Sequence, residues 1–419
     1  MRRRQPLPDT VCRVPAAETK GPAVKKTMTA ALTAVALVGL AACSNSEGQS
    51  IADAAGIKVC AAVSGSHGGA QADPVARSLA DAAARAGASF EAAEGADSVS
   101  SLAAGDCSLV VATDSTLAAT VSDAARSTGG KRFALVGSAF TDSKGNPGKP
   151  SNGTVINVQA SQGSYLAGYA AAGMTTTGTV AVVGGARDMV TLSQMDAFVQ
   201  GVDAYNLATG TSIQVLGWSP VTQEGAFASD ADGVRGFTET FIAQGADIVM
   251  PVADAANSGA AQAIAARDNP ALRLVWTGLD KSDLKGLSRE DAQSEEAGQP
   301  PMSGQSGAQT QRVDTSSFAD AFSSIQLGDK ARAAIGAPVL TSVVVDYSGA
   351  FDALIASAAG GTTAPMQYVS LISGGVILTG FGSYTPMLST ELKLGLSDMA
   401  GQIETGGLTV TTQYDVVGL

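Results

Sequence analysis

The sequence predicts an α/β protein made of two doubly wound, Rossmann-like lobes. Three observations carry this. From residue 57 onward, short apolar β-runs alternate with Ala-rich helical stretches, the rhythm of parallel βαβ units. The series runs twice, with a break near residue 160. The composition, 45% hydrophobic with only 5% aromatic residues in a chain of 419, supplies two cores of small side chains.

The first series opens with a strand over 58–63 and a helix over 74–86, where Val75, Leu79, Ala82 and Ala86 share one face. Strand 89–92, helix 98–104, strand 107–112, helix 117–127 and strands 132–136 and 155–158 complete it. The second series reads helix 163–174, strand 179–183, helix 192–205, strand 213–218, helix 232–244, strand 248–252, helix 258–267 and strand 272–278. Residues 282–337 break the rhythm. They are poor in apolar residues and rich in Gln, Ser and Gly, so they predict a flexible surface insertion with helical pieces at 318–325 and 329–335. Strand 339–347, helix 350–359, strand 376–379 and a mixed or helical stretch over 385–403 follow. In such sheets ligands sit beyond the carboxyl ends of the strands.

The amino-terminal region carries an export signal. Lys25 and Lys26 precede an apolar run from Met28 to Leu40, too short for a membrane span and of the length expected for a signal peptide. The run ends in Leu40-Ala41-Ala42-Cys43, which matches a bacterial lipobox. Cleavage before Cys43 and lipidation of its thiol are therefore expected, with residues 44–56 as a small, polar tether. Residues 1–23 lie upstream of that signal, and initiation at Val24 is the expected reading.

Lys and Arg number 26 against 38 Asp and Glu. Residues 1–42 hold seven of the former and two of the latter, which leaves 19 against 36 in the exported part. Such a body repels polyanions, so nucleic acid is not an expected partner. Of the four cysteines, Cys60 and Cys107 remain in the exported domain, either bridged or as two buried thiols. The single histidine, His67, forms no zinc-spaced set with them, and neither metal nor cofactor is expected.

Several segments in order resemble the basic-membrane-protein family, the lipid-anchored substrate-binding proteins of nucleoside-type ABC transporters. They are Gln-Gly-Ser-Tyr-Leu-Ala-Gly-Tyr from Gln162, Thr-Gly-Thr-Val-Ala-Val-Val-Gly-Gly from Thr177, and Asp-Ala-Phe-Val-Gln-Gly-Val-Asp-Ala-Tyr-Asn from Asp196. Gln-Gly-Ala-Asp-Ile-Val-Met-Pro-Val from Gln244, Thr-Gly-Leu-Asp-Lys-Ser-Asp from Thr277 and Val-Leu-Thr-Ser from Val339 agree. The resemblance implies a type I periplasmic-binding-protein fold, with a hinge whose crossovers lie near 158–161, near 278–281 and after Val345. It implies a first lobe of 57–160 with 281–355 and a second of 161–280 with 356–419. It also implies a monomer that binds a nucleoside or related sugar-containing compound between the lobes, docks on an ABC permease, and stays at the extracytoplasmic face of the cell membrane.

Asp280, in Thr-Gly-Leu-Asp, stands where such receptors place a carboxylate that accepts sugar hydroxyls; its alternative is a helix cap. Gly184 and Gly185 follow a strand and either admit a ligand to backbone N–H groups or make a tight turn. Trp218 and Phe140 either stack on a flat base or fill the core. Asp114 and Asp254 lie in strand-end loops and either bind ligand or cap. The first loop departs from the family's Asp followed by Ser-Phe-Asn: Gly68, Gln71 and Ala72 stand there, with Ser66, His67 and Gln71 as candidate replacements. Val344 stands for a usual Lys and Gly137 for a usual carboxylate. A lipid-anchored sensor or scaffold with a changed site is the alternative to transport. An enzyme is not expected, because the chain has no Gly-x-Ser-x-Gly, His-Glu-x-x-His or P-loop pattern.

Overall fold

The computed structural model describes residues 54–65, 69–71, 73–279, 283–285 and 325–415. The lipobox, the tether before residue 54, Ser66, His67 and Asp280 lie outside the described residues.

Ten strands form two parallel-wound layers that two short late strands complete. In the first, β1 (Lys58–Val63), β2 (Ser89–Glu94), β3 (Leu109–Ala112), β4 (Arg132–Val136) and β5 (Gly153–Val158) are all parallel, in the order β5-β4-β3-β1-β2. Helices α1 (Pro74–Arg85), α2 (Ala96–Ala104) and α3 (Ala118–Ser127) connect them. Strands β1, β3, β4 and β5 are buried along nearly their whole length, while the edge strand β2 is half exposed. Central strands covered on both faces read as continuous apolar runs, as these do.

The second layer uses β6 (Thr179–Gly184), β7 (Gln214–Leu216), β10 (Ile248–Val252), β11 (Arg273–Leu279) and β14 (Val339–Val345), in the order β14-β11-β10-β6-β7. Between β7 and β10, β8 (Trp218–Ser219) and β9 (Glu224–Gly225) form a small antiparallel hairpin. Helices α4 (Ala160–Met174), α5 (Met189–Thr209), α6 (Ala231–Ala243) and α7 (Ser258–Ala265) cover the sheet. The doubly wound, two-lobed α/β class predicted from the rhythm is the fold observed.

Four details differ from the sequence reading. The strand expected over 213–218 breaks at Gly217, which has φ +90° and passes so close to the Val182 carbonyl that no side chain fits. That kink turns Trp218 into the β8–β9 hairpin. Strand β14 was expected to return to the first lobe; it pairs with β11 in the second sheet. The chain therefore does not cross between sheets near Gly278. After Val345 it does cross: α9 (Ser348–Ala359) packs on α1, and β15 (Gln367–Val369) pairs with β5 at the edge of the first sheet. β15 falls in 356–419, expected in the second lobe; three residues of Gln-Tyr-Val are too few for a pattern. The chain then crosses back to β16 (Val376–Leu378), antiparallel to β14, and ends with α10 (Thr390–Thr405) against α4.

Of the insertion, β12 (Leu284–Lys285) and β13 (Gln326–Leu327) pair antiparallel, and α8 (Asp329–Ile335) coincides with the expected helical piece at 329–335. Cys60 and Cys107 form a disulfide with Cα atoms 5.9 Å apart, tying β1 to the entry of β3. Among the described residues no helix is long and apolar enough to cross a membrane.

Candidate functional site

A cleft, partly open to solvent, lies where the carboxyl ends of both sheets face each other. Its first-lobe wall begins at the amino terminus of α1. Asp73, fully buried, caps that helix: its Oδ1 accepts the Ala76 N–H at 2.8 Å, and its Oδ2 accepts the Thr113 hydroxyl at 2.9 Å. The Asp-Pro pair at 73–74 is a strong helix start, since proline at the first position has no N–H to satisfy. Asp114, next to Thr113, accepts the Thr116 N–H at 2.8 Å, and the hydroxyls of Thr116 and Ser64 also donate to it. The loops after β1 and β3 are thus fastened together through carboxylates.

The second-lobe wall repeats the device. Asp188 caps α5, accepting the Thr191 N–H at 2.9 Å and its hydroxyl at 3.0 Å. Asp254 begins a short 3-10 turn with φ +47°, a backbone region that L side chains rarely adopt. The buried Asn257 fixes that turn: its Oδ1 accepts the Ala253 N–H at 2.8 Å, and its Nδ2 donates to the Thr277 carbonyl at 3.1 Å. Thr277 in turn donates to the Pro251 carbonyl at 2.7 Å, so the ends of β10 and β11 are locked in one register.

Tyr347 reaches the cleft from the crossover between β14 and α9. Burial, and then the charges of Asp254, Asp73 and Asp188, push its hydroxyl well above the usual tyrosine range. It therefore stays protonated, able to donate or accept, between carboxylates of both lobes. Among the described residues that line the cleft there is no Lys or Arg. The arrangement offers hydrogen-bond acceptors from both sides and one hydroxyl at the hinge. Among the described residues no cluster of His, Cys, Asp and Glu has the grouping of a metal site.

The structure gathers part of the expected set. Asp114 and Asp254 line the cleft from opposite lobes. Phe140 does not: its side chain is fully buried in the first-lobe core, against Gly153. Trp218 is also core, 5% exposed, with its Nε1 donating to Asp196 at 3.1 Å and its ring edge-on to Phe227 and Tyr414. The N–H groups of Gly184 and Gly185 are spent on the Ala226 and Val252 carbonyls, both at 2.9 Å. The two glycines serve packing: a Cβ at 184 would meet Phe227 at 2.6 Å, and one at 185 would meet Ala253 at 2.8 Å. Val344, which replaces the family's usual Lys, is fully buried in the second sheet.

Asp73, Asp188, Thr277 and Tyr347 escaped the sequence reading. Both aspartates carried a signal, as acidic residues immediately before a helix. Tyr347 had none, because its role depends on the crossover that brings it to the cleft.

Residues 80–285 match the family described as "ABC transporter substrate-binding protein PnrA-like", Bmp. Over that span the chain is similar to this family. The family is one of transporter substrate-binding proteins. No curated protein matches the sequence. Among solved structures, ABC transporter system solute-binding proteins from Aeropyrum pernix K1 align with a TM-score of 0.58 at 15% identity, over 86% of this chain and 94% of theirs. A solute-binding protein from Conexibacter woesei aligns at 0.53 and 15%, over 86% and 99%. A transcriptional activator of the comK gene from Bacillus halodurans aligns at 0.55 and 14%, over 84% and 99%. At these identities the likeness is one of fold: a type I periplasmic-binding-protein architecture. The Bmp match spans Asp114, Asp188, Asp254 and Thr277, while Asp73 and Tyr347 fall outside it.

Proposed function

We propose that this protein is an extracytoplasmic substrate-binding lipoprotein, held to the membrane through Cys43, that captures a small hydroxyl-rich ligand between its lobes for uptake by an ABC permease. The observation that carries this reading is the pairing of Asp73 and Asp114 on one wall of the cleft with Asp188 and Asp254 on the other. Carboxylates accept several hydroxyl hydrogen bonds at once. A ligand that bridges both walls gains contacts that the separated lobes lack, which is the thermodynamic condition for closure.

The sugar portion of a nucleoside fits this set better than its base. Tyr347 is the only aromatic residue among the described residues lining the cleft, and the expected stacking residues Phe140 and Trp218 are in the cores. Asp280, carried over from the family resemblance as an acceptor for sugar hydroxyls, lies outside the described residues.

The test is a thermal-shift and calorimetric screen of the protein against pentoses, hexoses, inositols and nucleosides. A ligand at one hundred times its Kd stabilises the native state by about 2.7 kcal/mol. A shift with a sugar or nucleoside that is lost in Asp114→Ala and Asp254→Ala supports the reading. No shift with any hydroxyl-bearing compound at millimolar concentration overturns it. For the anchor, Cys43→Ala is expected to move the protein from the membrane fraction to the medium or periplasm; retention at the membrane would remove the lipid from the account.

A further inference from the structure

Gly137 follows β4 in the first lobe, and its N–H donates to the Ile156 carbonyl at 2.9 Å, so its backbone is fixed to the sheet. Val190 belongs to the second lobe, as the second residue of α5. The two meet across the cleft. A Cβ built on Gly137 falls inside the van der Waals envelope of Val190 Cγ2, closer than real side-chain contacts ever come. Val190 is also held in place: Asp188 caps its helix through Thr191, and its own carbonyl accepts the Ser193 hydroxyl at 2.9 Å. Val136 and Val190 both line the cavity, so this contact forms one end of the ligand space.

We propose that Val190 is a positioning residue for closure: seated on the bare backbone at Gly137, it is the stop that fixes how near the two lobes approach. Two rigidly mounted groups in contact, one from each lobe, define the narrowest separation available to the cleft, because packed protein does not compress. The absence of a side chain at 137 then has a mechanical meaning. With a carboxylate there, the lobes would meet earlier and the ligand space would be wider. Glycine lets them close by one further side-chain layer and keeps the wall carboxylates within reach of a small ligand. This inference concerns the distance between lobes and does not rest on the identity of the ligand.

The test places a ketone-bearing amino acid at Ala84 in α1 and at Gln262 in α7, both exposed, and attaches spin labels for pulsed dipolar distance measurement on the ligand-free protein. Gly137→Leu is expected to lengthen the shortest populated distance by ~4 Å, the reach of one interposed side chain. Gly137→Leu combined with Val190→Gly is expected to restore it. The rescue separates a cross-cleft clash from backbone strain at φ +65°, which Val190→Gly cannot relieve. Should Gly137→Leu fail to fold, Val190→Trp, on a helix with no such backbone demand, is expected to produce the same lengthening. A folded Gly137→Leu or Val190→Trp protein with the wild-type distance, or a double variant that stays long, overturns the proposal. The ligand screen above is read on wild-type protein alone, so its failure and this one are distinguishable.

Discussion

The two lobes share a winding plan yet are held together differently. The first has a covalent tie, the Cys60–Cys107 disulfide, across a sheet of continuous parallel strands. The second has none among its described residues and relies on the close crossing of α4 and α5. There Gly168 lies under the Phe198 carbonyl and Gly201 under the Tyr165 carbonyl, with no space for a Cβ at either. One lobe limits the freedom of its unfolded chain; the other gains dispersion contact from backbones brought together. The cleft is consequently bordered by one cross-linked lobe and one close-packed lobe.

Four changes break or sharpen that contrast. The largest effect is expected for Gly201→Leu, which forces the α4–α5 crossing apart and should cost ~3 kcal/mol or more; a wild-type urea midpoint would show that the crossing is dispensable. Removing the disulfide by Cys60→Ala with Cys107→Ala is expected to cost about 2–4 kcal/mol. Reductant should lower the stability of the wild type and leave that double variant unchanged. The two wall caps come next. Asp73→Ala and Asp188→Ala each remove a buried carboxylate that satisfies a helix N–H and a threonine hydroxyl, and each is expected to cost ~1–2 kcal/mol, Asp73 the more because its partner Thr113 lies in another loop and not in its own helix. A smaller loss for Asp73→Ala than for Asp188→Ala would mean that the tie to the neighbouring loop through Thr113 adds nothing.

The smallest effect is a pH dependence in the second lobe. Burial holds the Asp415 carboxyl above the usual carboxylate range, against the lowering effect of its Thr412 hydrogen bonds. With its folded pKa raised, the group favours the native state when protonated, and that contribution is lost as pH rises through the folded value. Asp415→Asn is therefore expected to raise Tm slightly at pH 7, with no gain below the unfolded carboxylate pKa. A gain that persisted at low pH would point to packing instead of charge.

Much of this architecture is legible in the sequence. Buried parallel strands announce themselves as apolar runs, and Ile248–Val252 or Lys58–Val63 need no tertiary context to be recognised. What escaped depends on neighbours. Gly217 looks like one more residue in a strand until the Val182 carbonyl beneath it is seen. β15 exists only because β5 offers an open edge. The destination of β14 is a choice between two sheets that its own sequence suits equally. The same logic sorts the site. Asp114 and Asp254 could be placed from strand ends alone, whereas Phe140 and Trp218 turn into the cores, and no period in a loop reports which way a ring turns.

The two-residue ladder of β12 and β13 carries one more consequence. Lys285 pairs directly with Gln326, so two positions far apart in the sequence are held at adjoining points. Closing that ladder needs only a connection that spans neighbouring strands, residues 286–324 standing between the two in sequence. A short turn could replace them, or a fluorescent domain could be spliced in, with β14 and the hinge beyond it keeping their places. For anyone wishing to watch the cleft open and shut, that clip is a ready-made mounting point.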